Sequence, residues 1–256
     1  MTYKQFIEEP NLSTAWAASL KSAYAEGKQD VVPLVVSITG FDDSGKVIED
    51  PSIRAALDQY LAATGDQTVE TVANTIFPIS MWNRNAPRAQ LFERYSRMFS
   101  RLQAASTKNR HGVYFQRMIE GGRASNPNQL DYIIDAYSSK DGVRRSLLQV
   151  AIFNPSLDHS TTGPRGFPCL QHITFSPSGD ELSVNAFYAF QYMVEKAYGN
   201  YLGLCRLGQF VAHELDLKLT RVTCYSGISK PDANVGDVQP MLDAYERVLA
   251  ETQGAE

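Results

Sequence analysis

The chain carries apolar residues in two different rhythms, which together predict both helices and strands. Apolar positions recur with the period of an amphipathic helix at residues 13–26, 52–61, 69–76, 88–105, 128–137, 199–215 and 240–251. Short β-branched or alternating runs, which are typical of strands, lie at residues 31–37, 145–153, 170–176, 181–192 and 218–225. This mixture predicts an α+β fold, in which helices pack on one side of a mixed β-sheet.

The chain contains no internal repeat, low-complexity tract or Pro/Ser-rich linker that would divide it. Its 256 residues fit the upper size range of a single hydrophobic core. Apolar residues make up 43% of the chain and aromatic residues 11%, which is enough to fill such a core. We therefore expect residues 1–256 to form one domain.

Net charge and hydropathy restrict the partners of this chain. The net charge of −4 offers no basic excess to neutralise phosphates, so we expect no binding to nucleic acid or to anionic membranes. No apolar run approaches the roughly 20 residues that a bilayer span requires. The opening segment, MTYKQFIEEP, lacks the apolar core of a secretory signal, so we expect a cytoplasmic protein.

The chain has three cysteines, Cys169, Cys205 and Cys224, whose wide spacing predicts neither a disulfide framework nor a metal site. Cys205 lies in a predicted helix and Cys224 in a predicted strand, and both are expected in the core. Cys169 instead follows the Gly/Pro-rich segment 163–168, which contains Arg165. Exposure beside a cation favours the nucleophilic thiolate, whereas most unpaired cysteines are buried and unreactive. These residues alone leave both interpretations of Cys169 open.

Two adjacent arginines, Arg144 and Arg145, stand directly before a predicted strand. Each guanidinium group offers a planar fork of donors that suits a phosphate. The preceding residues 140–143, KDGV, suit a solvated turn, which is the alternative explanation for the charges. The pair therefore indicates either a phosphate ligand or an exposed turn.

Several of these features follow one another along the chain: Arg144-Arg145, an apolar strand, Asn154 and Asp158, Pro168-Cys169, and the segment 179–183, GDELS. This order resembles the thymidylate synthase family, with its paired arginines, its strand leading to an Asn and an Asp, its Pro-Cys nucleophile and its Gly-x-Leu-Ser strand. The similarity covers roughly residues 128–227, and residues 110–117 (RHGVYFQR) resemble the family's Tyr-Gly-x-Gln-Trp-Arg segment. The resemblance implies a thymidylate synthase-like mixed sheet packed with helices, and a dimer formed sheet to sheet.

The resemblance also implies a reaction and a substrate. In this family the Pro-Cys thiolate adds to C6 of a pyrimidine nucleotide, and C5 then takes a one-carbon unit from 5,10-methylenetetrahydrofolate. Cys169 would be that nucleophile in a methyltransferase or hydroxymethyltransferase of nucleotide biosynthesis. Arg144 and Arg145 would bind phosphate in the partner subunit's site, which implies an obligate homodimer. Asn200 would hydrogen-bond the pyrimidine edge, although an asparagine in the run YGN also suits a turn or a helix end.

The chain departs from the family at positions that hold the nucleotide. Ala189 stands where the family has an arginine that binds phosphate and lowers the pKa of the thiol. Arg165 or Arg206 could supply the missing charge. The family's ribose-binding His-x-Tyr pair falls on Lys230 and Asp232, so the sugar would have to be held differently.

Two further roles of the family have only approximate counterparts. The glutamate that relays protons has Asp58 as its nearest acidic counterpart, and Glu70 is a weaker one. The tyrosine beside the cysteine has His111 and Tyr114 as its candidates. We therefore treat Asp58 and Tyr114 as candidate catalytic residues, and His111 as a candidate substrate ligand.

Retained and lost residues favour different functions. The setting of Cys169 favours one-carbon transfer to C5 of a pyrimidine nucleotide. The lost phosphate and ribose ligands favour a catalytically degenerate homologue that acts as a nucleotide-binding or partner-binding subunit. A third alternative is a shared fold that carries unrelated chemistry.

Overall fold

The computed structural model of the protein describes residues 3–25, 27–105, 113–122, 125, 127–139, 142–159 and 167–253. Of the candidate site residues, His111 and Arg165 lie outside the described residues. The other candidates, Asp58, Tyr114, Arg144, Arg145, Cys169 and Asn200, lie within them.

A mixed β-sheet forms the centre of the molecule. Within the described residues it has six strands: β1 (Tyr3–Glu9), β2 (Val31–Ile38), β3 (Gln149–Ala151), β4 (Leu170–Ser178), β5 (Glu181–Tyr192) and β6 (Lys218–Lys230). Their order across the sheet is β1-β2-β6-β5-β4-β3. The pairs β1/β2 and β5/β6 are parallel, and the other pairs are antiparallel. The predicted α+β class with a mixed sheet is therefore confirmed.

Helices connect and cover these strands. They are α1 (Leu12–Ala25), α2 (Pro51–Thr64), α3 (Val69–Ile76), α4 (Ala89–Ala105), α5 (Tyr114–Glu120), α6 (Gln129–Ser138), α7 (Pro155–Asp158), α8 (Tyr198–Glu214) and α9 (Val235–Gln253). A π-helical turn, Met193–Ala197, leads into α8. Among the described residues, no helix is long and apolar enough to cross a bilayer.

Local chemistry explains where several helices begin and end. The Asp50 side chain accepts hydrogen bonds from the first backbone amides of α2, and Pro51 occupies the first turn. Gly65 ends α2 in the left-handed conformation (φ 72°), which glycine adopts without strain. Thr68 caps α3, and Asn128 caps α6. These caps explain why the predicted boundaries of the three helices are close to the observed ones.

Some predicted elements differ from the observed ones. The predicted strand 145–153 is a 3₁₀ turn, Arg145–Leu147, followed by the much shorter β3. The last strand continues to Lys230, because its end pairs with both β2 and β5. Strand β1 and helices α5 and α7 were not predicted, because each is short or rich in polar residues.

The two faces of the sheet differ in burial. On one face, Leu182, Val184, Ala186 and Tyr188 of β5 are buried in the core that the helices complete. On the other face, one continuous cross-strand row consists of Phe6, Val35, Tyr225, Phe187, His172 and Ala151, which pair in register from β1 to β3. Each member of this row is exposed or half-buried. We refer to this row and the face that carries it as the open face.

The alternation of buried and exposed residues shifts at one end of β5 and β6. Ala189 and Gly227 lie side by side at the shift, where a Cβ on Gly227 would approach the Ala189 carbonyl oxygen to 2.9 Å. Beyond it, Gln191 and Ser229 pair with each other and are both buried. Because glycine has no Cβ, the backbones of β5 and β6 can lie this close together at Gly227. This point is next to the start of β4, since the Ala189 amide donates to the Cys169 carbonyl.

Candidate active site around Cys169

Cys169 lies at the point where the chain enters β4. Its carbonyl oxygen accepts a hydrogen bond from the Ala189 amide (3.0 Å), and the Gln171 side chain donates to the Pro168 carbonyl (2.7 Å). The next residue, Leu170, pairs with Tyr188 of β5. Cys169 is half-buried, unlike Cys205 and Cys224, which are in the core as predicted. Contacts with β5 and with the start of β4 therefore hold the backbone of Cys169 in place.

Two tyrosines lie against this cysteine. The Tyr114 hydroxyl, at the start of α5, faces the backbone amides of Cys169 and Leu170. Burial raises the pKa of Tyr114, so the hydroxyl stays protonated and can donate a hydrogen bond. Tyr188 is fully buried, and its hydroxyl has no hydrogen-bond partner among the described residues. The structure thus places the Tyr114 hydroxyl against the Cys169 backbone, while His111, the other candidate for this role, lies outside the described residues.

The electrostatic setting of the thiol has two opposing contributions. Burial raises the pKa of Cys169, and the positive charge of Lys196 acts against this rise without cancelling it. Lys196 belongs to the π-helical turn and was not a predicted site residue.

Asn200 lies in the first turn of α8 and is buried. Asn200 is therefore not a C-cap, because the helix continues to Glu214 and is capped by Leu215. The turn before it is held by Asp232, whose carboxylate accepts hydrogen bonds from the amides of Val194 (2.8 Å) and Glu195 (2.9 Å). Asp232 thus fixes the approach to α8.

The candidate proton-relay residues lie in an ion-pair network. Arg54 donates to Asp58 (2.9 Å), Glu49 (2.9 Å) and Glu70 (3.2 Å). Glu70 also accepts two hydrogen bonds from Arg206, at 2.8 and 2.9 Å. Asp58, Glu70 and Arg206 are therefore bound to one another through this network. No interaction between any of them and Cys169 is recorded among the described residues.

Arg144 and Arg145 are exposed at the 3₁₀ turn before β3. Neither side chain forms an ion pair with an acidic residue of the described ranges. Their exposure leaves both guanidinium groups accessible to a ligand or to another subunit. Within the described residues of the same chain, neither side chain forms a hydrogen bond with Cys169.

A buried ion pair supports the tyrosine side of the site. Arg117 of α5 donates to both carboxylate oxygens of Asp158, at 2.8 and 2.9 Å, and to the Ile152 carbonyl (3.1 Å). Asp158 also accepts from the Asn154 amide (2.8 Å). Burial opposes the charged form, but these hydrogen bonds outweigh it and lower the pKa of Asp158. The pair ties α5, which carries Tyr114, to the segment after β3.

The surroundings of Cys169 offer a thiol and two phenols. Among the residues that the structure describes, no three His, Cys, Asp or Glu side chains are placed to bind a metal ion. The side chains present suit a nucleophilic addition assisted by hydrogen bonds.

No protein-family model matches the chain, and no curated protein is detectably similar to it. The functional assignment therefore depends on the site itself and on the order of motifs around it.

Proposed function

We propose that this protein transfers a one-carbon unit to C5 of a pyrimidine nucleotide, in the manner of thymidylate synthase, through a covalent adduct on Cys169. The observation that carries the proposal is the half-buried Cys169 of the Pro-Cys motif, which directly precedes β4 and has the Tyr114 hydroxyl against its backbone amide. A half-buried thiol with a protonated tyrosine hydroxyl against its backbone suits addition to an electron-poor double bond.

The proposed chemistry begins with Sγ of the Cys169 thiolate bonding to C6 of the base. The electron pair of the C5–C6 double bond moves onto C5 and the carbonyl at C4. C5 would then bond to the methylene carbon of methylenetetrahydrofolate as the bond from that carbon to one of its two nitrogens breaks and that nitrogen takes up a proton. Loss of the C5 proton and of the tetrahydrofolate amine leaves an exocyclic methylene group. Hydride from tetrahydrofolate gives a methyl product, whereas water gives a hydroxymethyl product, and sulfur departs from C6 in either case.

A homodimer is part of this proposal. The open face carries a continuous row from β1 to β3, in which Phe187 and Tyr225 stack with ring centroids 5.3 Å apart. Exposed aromatic side chains in a contiguous patch are typical of an interface. A second copy packed sheet to sheet would cover them. It would also bring its own Arg144 and Arg145 near the edge of the sheet that carries Cys169.

The proposal extends to the cellular compartment. All three cysteines are free, which suits a reducing compartment. We therefore expect the protein to act in the cytoplasm, on free nucleotides.

A second candidate is a nucleotide-binding or partner-binding subunit that has lost catalysis. Two observations favour it. Burial raises the pKa of the Cys169 thiol despite Lys196, which disfavours the thiolate. Asp58, the nearest counterpart of the proton relay, is held by Arg54.

A mechanism-based inhibitor distinguishes the two candidates. The protein is incubated with 5-fluoro-dUMP or 5-fluoro-CMP plus methylenetetrahydrofolate, and its peptides are analysed by mass spectrometry. We expect a nucleotide adduct on the Cys169 peptide, and none on the peptides of the buried Cys205 and Cys224. The matched variant Cys169→Ser should bind nucleotide and form no adduct. Nucleotide binding without an adduct in the wild type would reject the transferase and favour the second candidate.

A further inference from the structure

Two adjacent rows of the open face are nearly free of charged side chains. Beside the row that contains Phe187 lies a second continuous row, which consists of Glu8, Ser37, Thr223, Asn185, Thr174 and Gln149. Within these two rows of described residues, Glu8 is the one Asp, Glu, Lys or Arg, and it pairs with Arg221 of the same subunit. Depletion of charge around exposed aromatic residues is typical of the core of an interface.

The same neutrality favours a second copy of this chain as the partner. Two identical faces that carried unpaired like charges would repel each other, but here the carboxylate of Glu8 is already paired with Arg221. Twofold symmetry, which brings identical faces together, is the commonest symmetry of soluble oligomers. We therefore take the partner on the open face to be the second subunit of the proposed dimer.

His172 is a titratable side chain in the aromatic row of this face. It lies between Ala151 of β3 and Phe187 of β5, and it is half-buried in the single subunit. Its ring forms no hydrogen bond within the described residues. Burial lowers the pKa of His172, because the charged imidazolium loses hydration. A second subunit packed on Phe187 would withdraw the ring further from water.

The surroundings of His172 offer no counter-charge to its imidazolium form. Burial alone accounts for its lowered pKa, so the titratable groups on the elements around β4 do not compensate its charge. Within the described residues, these groups are Tyr114, Arg144, Arg145, His159, Cys169, Tyr188 and Tyr225. Glu8 lies on β1, with three strands between it and β4. Its hydrogen bond with Arg221 lowers the pKa of Glu8, which therefore stays ionised in weak acid.

We propose that association of two subunits through the open face requires the neutral form of His172, so that the dimer dissociates as the pH falls. This inference rests on the sheet-to-sheet dimer of the proposed function. In that dimer each imidazole would lie between Phe187 and the partner subunit, where a charged ring would lack both water and a counter-charge. Because the partner's arginines would complete each site, dissociation would also stop the one-carbon transfer.

The sign of the effect follows from the pKa of the ring. Burial in the dimer lowers the pKa of His172 below its value in the separate subunit. The dimer is therefore fully favoured above the pKa of the separate subunit, and this advantage is lost as the pH falls through that value. Two imidazoles are buried per dimer, and each favours the neutral form by up to about tenfold at pH 5.5.

Sedimentation equilibrium of the full chain at pH 8 and pH 5.5 tests this inference. The dissociation constant of the wild-type dimer should rise by about 20- to 100-fold between the two pH values. His172→Phe and His172→Gln, which cannot take up a proton, should change by less than about threefold. His159→Gln, the matched control, removes an exposed imidazole outside the sheet and should respond to pH like the wild type.

A second measurement does not depend on these variants. The chain has only four histidines, so the ring protons of His172 can be followed by NMR in the wild type. The pKa of His172 should be lower at a protein concentration that favours the dimer than at one that favours the single subunit. An equal pKa at both concentrations would overturn the inference. A wild-type dimer that is unchanged or tighter at pH 5.5 would do the same, as would equal weakening of the wild type and His172→Phe.

The failures of the two proposals are distinguishable. A wild-type dimer that forms the fluoropyrimidine adduct and ignores pH would retain the transferase and reject the role of His172. A dimer that responds to pH through His172 and forms no adduct would retain that role and lose the transferase. A monomeric wild type at pH 8 would reject both the shared site and the role of His172.

Discussion

At the scale of single residues, the site contains a buried hydroxyl whose hydrogen bonding is incomplete. Tyr188 and Tyr201 are both almost fully buried, and the Tyr201 hydroxyl donates to the Gln191 side chain (3.3 Å). The Tyr188 hydroxyl has no such partner among the described residues, although it lies near Cys169 and Tyr114. Leaving a buried hydroxyl without a hydrogen-bond partner costs about 1–3 kcal/mol. A ligand atom that accepts a hydrogen bond from this hydroxyl would offset that cost.

Replacing each tyrosine by phenylalanine separates structure from function. Tyr188→Phe should leave the free energy of unfolding unchanged or raise it by up to about 1 kcal/mol, because no hydrogen bond is lost. Tyr201→Phe, the matched control, should lower it by about 1 kcal/mol. Urea denaturation measures both values. We also expect Tyr188→Phe to slow adduct formation on Cys169 by about tenfold. Loss of stability together with an unchanged adduct rate would show that the hydroxyl serves the fold alone.

At the scale of elements, one buried ion pair joins α5 to α7. The Asp158 side chain is 4% exposed and that of Arg117 14%, so the pair is largely withdrawn from water. The exposed pair of Lys218 and Asp180, 3.5 Å apart, joins β6 to the end of the β4–β5 turn and offers a matched contrast. The buried pair should therefore contribute much more to the free energy of unfolding than the exposed pair.

Asp158→Asn should lower the free energy of unfolding by about 3 kcal/mol at pH 7, whereas Asp180→Asn should change it by less than about 0.5 kcal/mol. The pKa of Asp158 is lowered in the folded protein, so its contribution is complete above the ordinary value of 3.8 and is lost as pH falls through the folded value. The difference between wild type and Asp158→Asn should therefore shrink below about pH 4. Denaturation at pH 7, 5 and 3 tests this, and a difference independent of pH would contradict it.

The same scale shows what the sequence could predict. Strand β5 alternates apolar and polar residues and was predicted with its observed ends, 181 and 192. Strand β1 was missed because its seven residues, YKQFIEE, contain three charges and only become a strand by pairing with β2. The ion pair of Arg54 and Asp58 was visible in their spacing of four, and it explains why Asp58 is not free to serve Cys169. The position of Tyr114 against the Cys169 backbone depends on tertiary packing between residues far apart in sequence, which no local pattern encodes.

At the scale of the whole molecule, the open face decides how the site is completed. Phe6 is 65% exposed, Phe187 41% and Tyr225 38%, and all three belong to one row across the sheet. In a dimer with twofold symmetry, the open face of one subunit packs against the open face of the other. The proposed function requires this geometry, because Arg144 and Arg145 of one subunit would serve Cys169 of the other.

The first expectation at this scale is dimerisation through the open face. The wild type should sediment as a dimer, and Phe187→Asp should sediment as a monomer, because a charge in the centre of the row cannot be buried without a partner. Ile48→Asp, at an equally exposed apolar residue outside the sheet, should remain dimeric. A monomeric wild type would reject the shared site, and a dimeric Phe187→Asp would assign the interface to another surface.

A site that is shared between two subunits predicts that two different defective variants restore each other's activity, which mixed dimers can test. Cys169→Ser lacks the nucleophile, and Arg144→Ala/Arg145→Ala lacks the phosphate ligands, so each homodimer should form almost no fluoropyrimidine adduct. When the two are unfolded and refolded together, half of the dimers are mixed, and each mixed dimer has one site with an intact cysteine and intact arginines. Adduct formation should then recover to about one quarter of the wild-type amount. If the arginines served the cysteine of their own chain, every site in the mixture would stay defective and no recovery would occur.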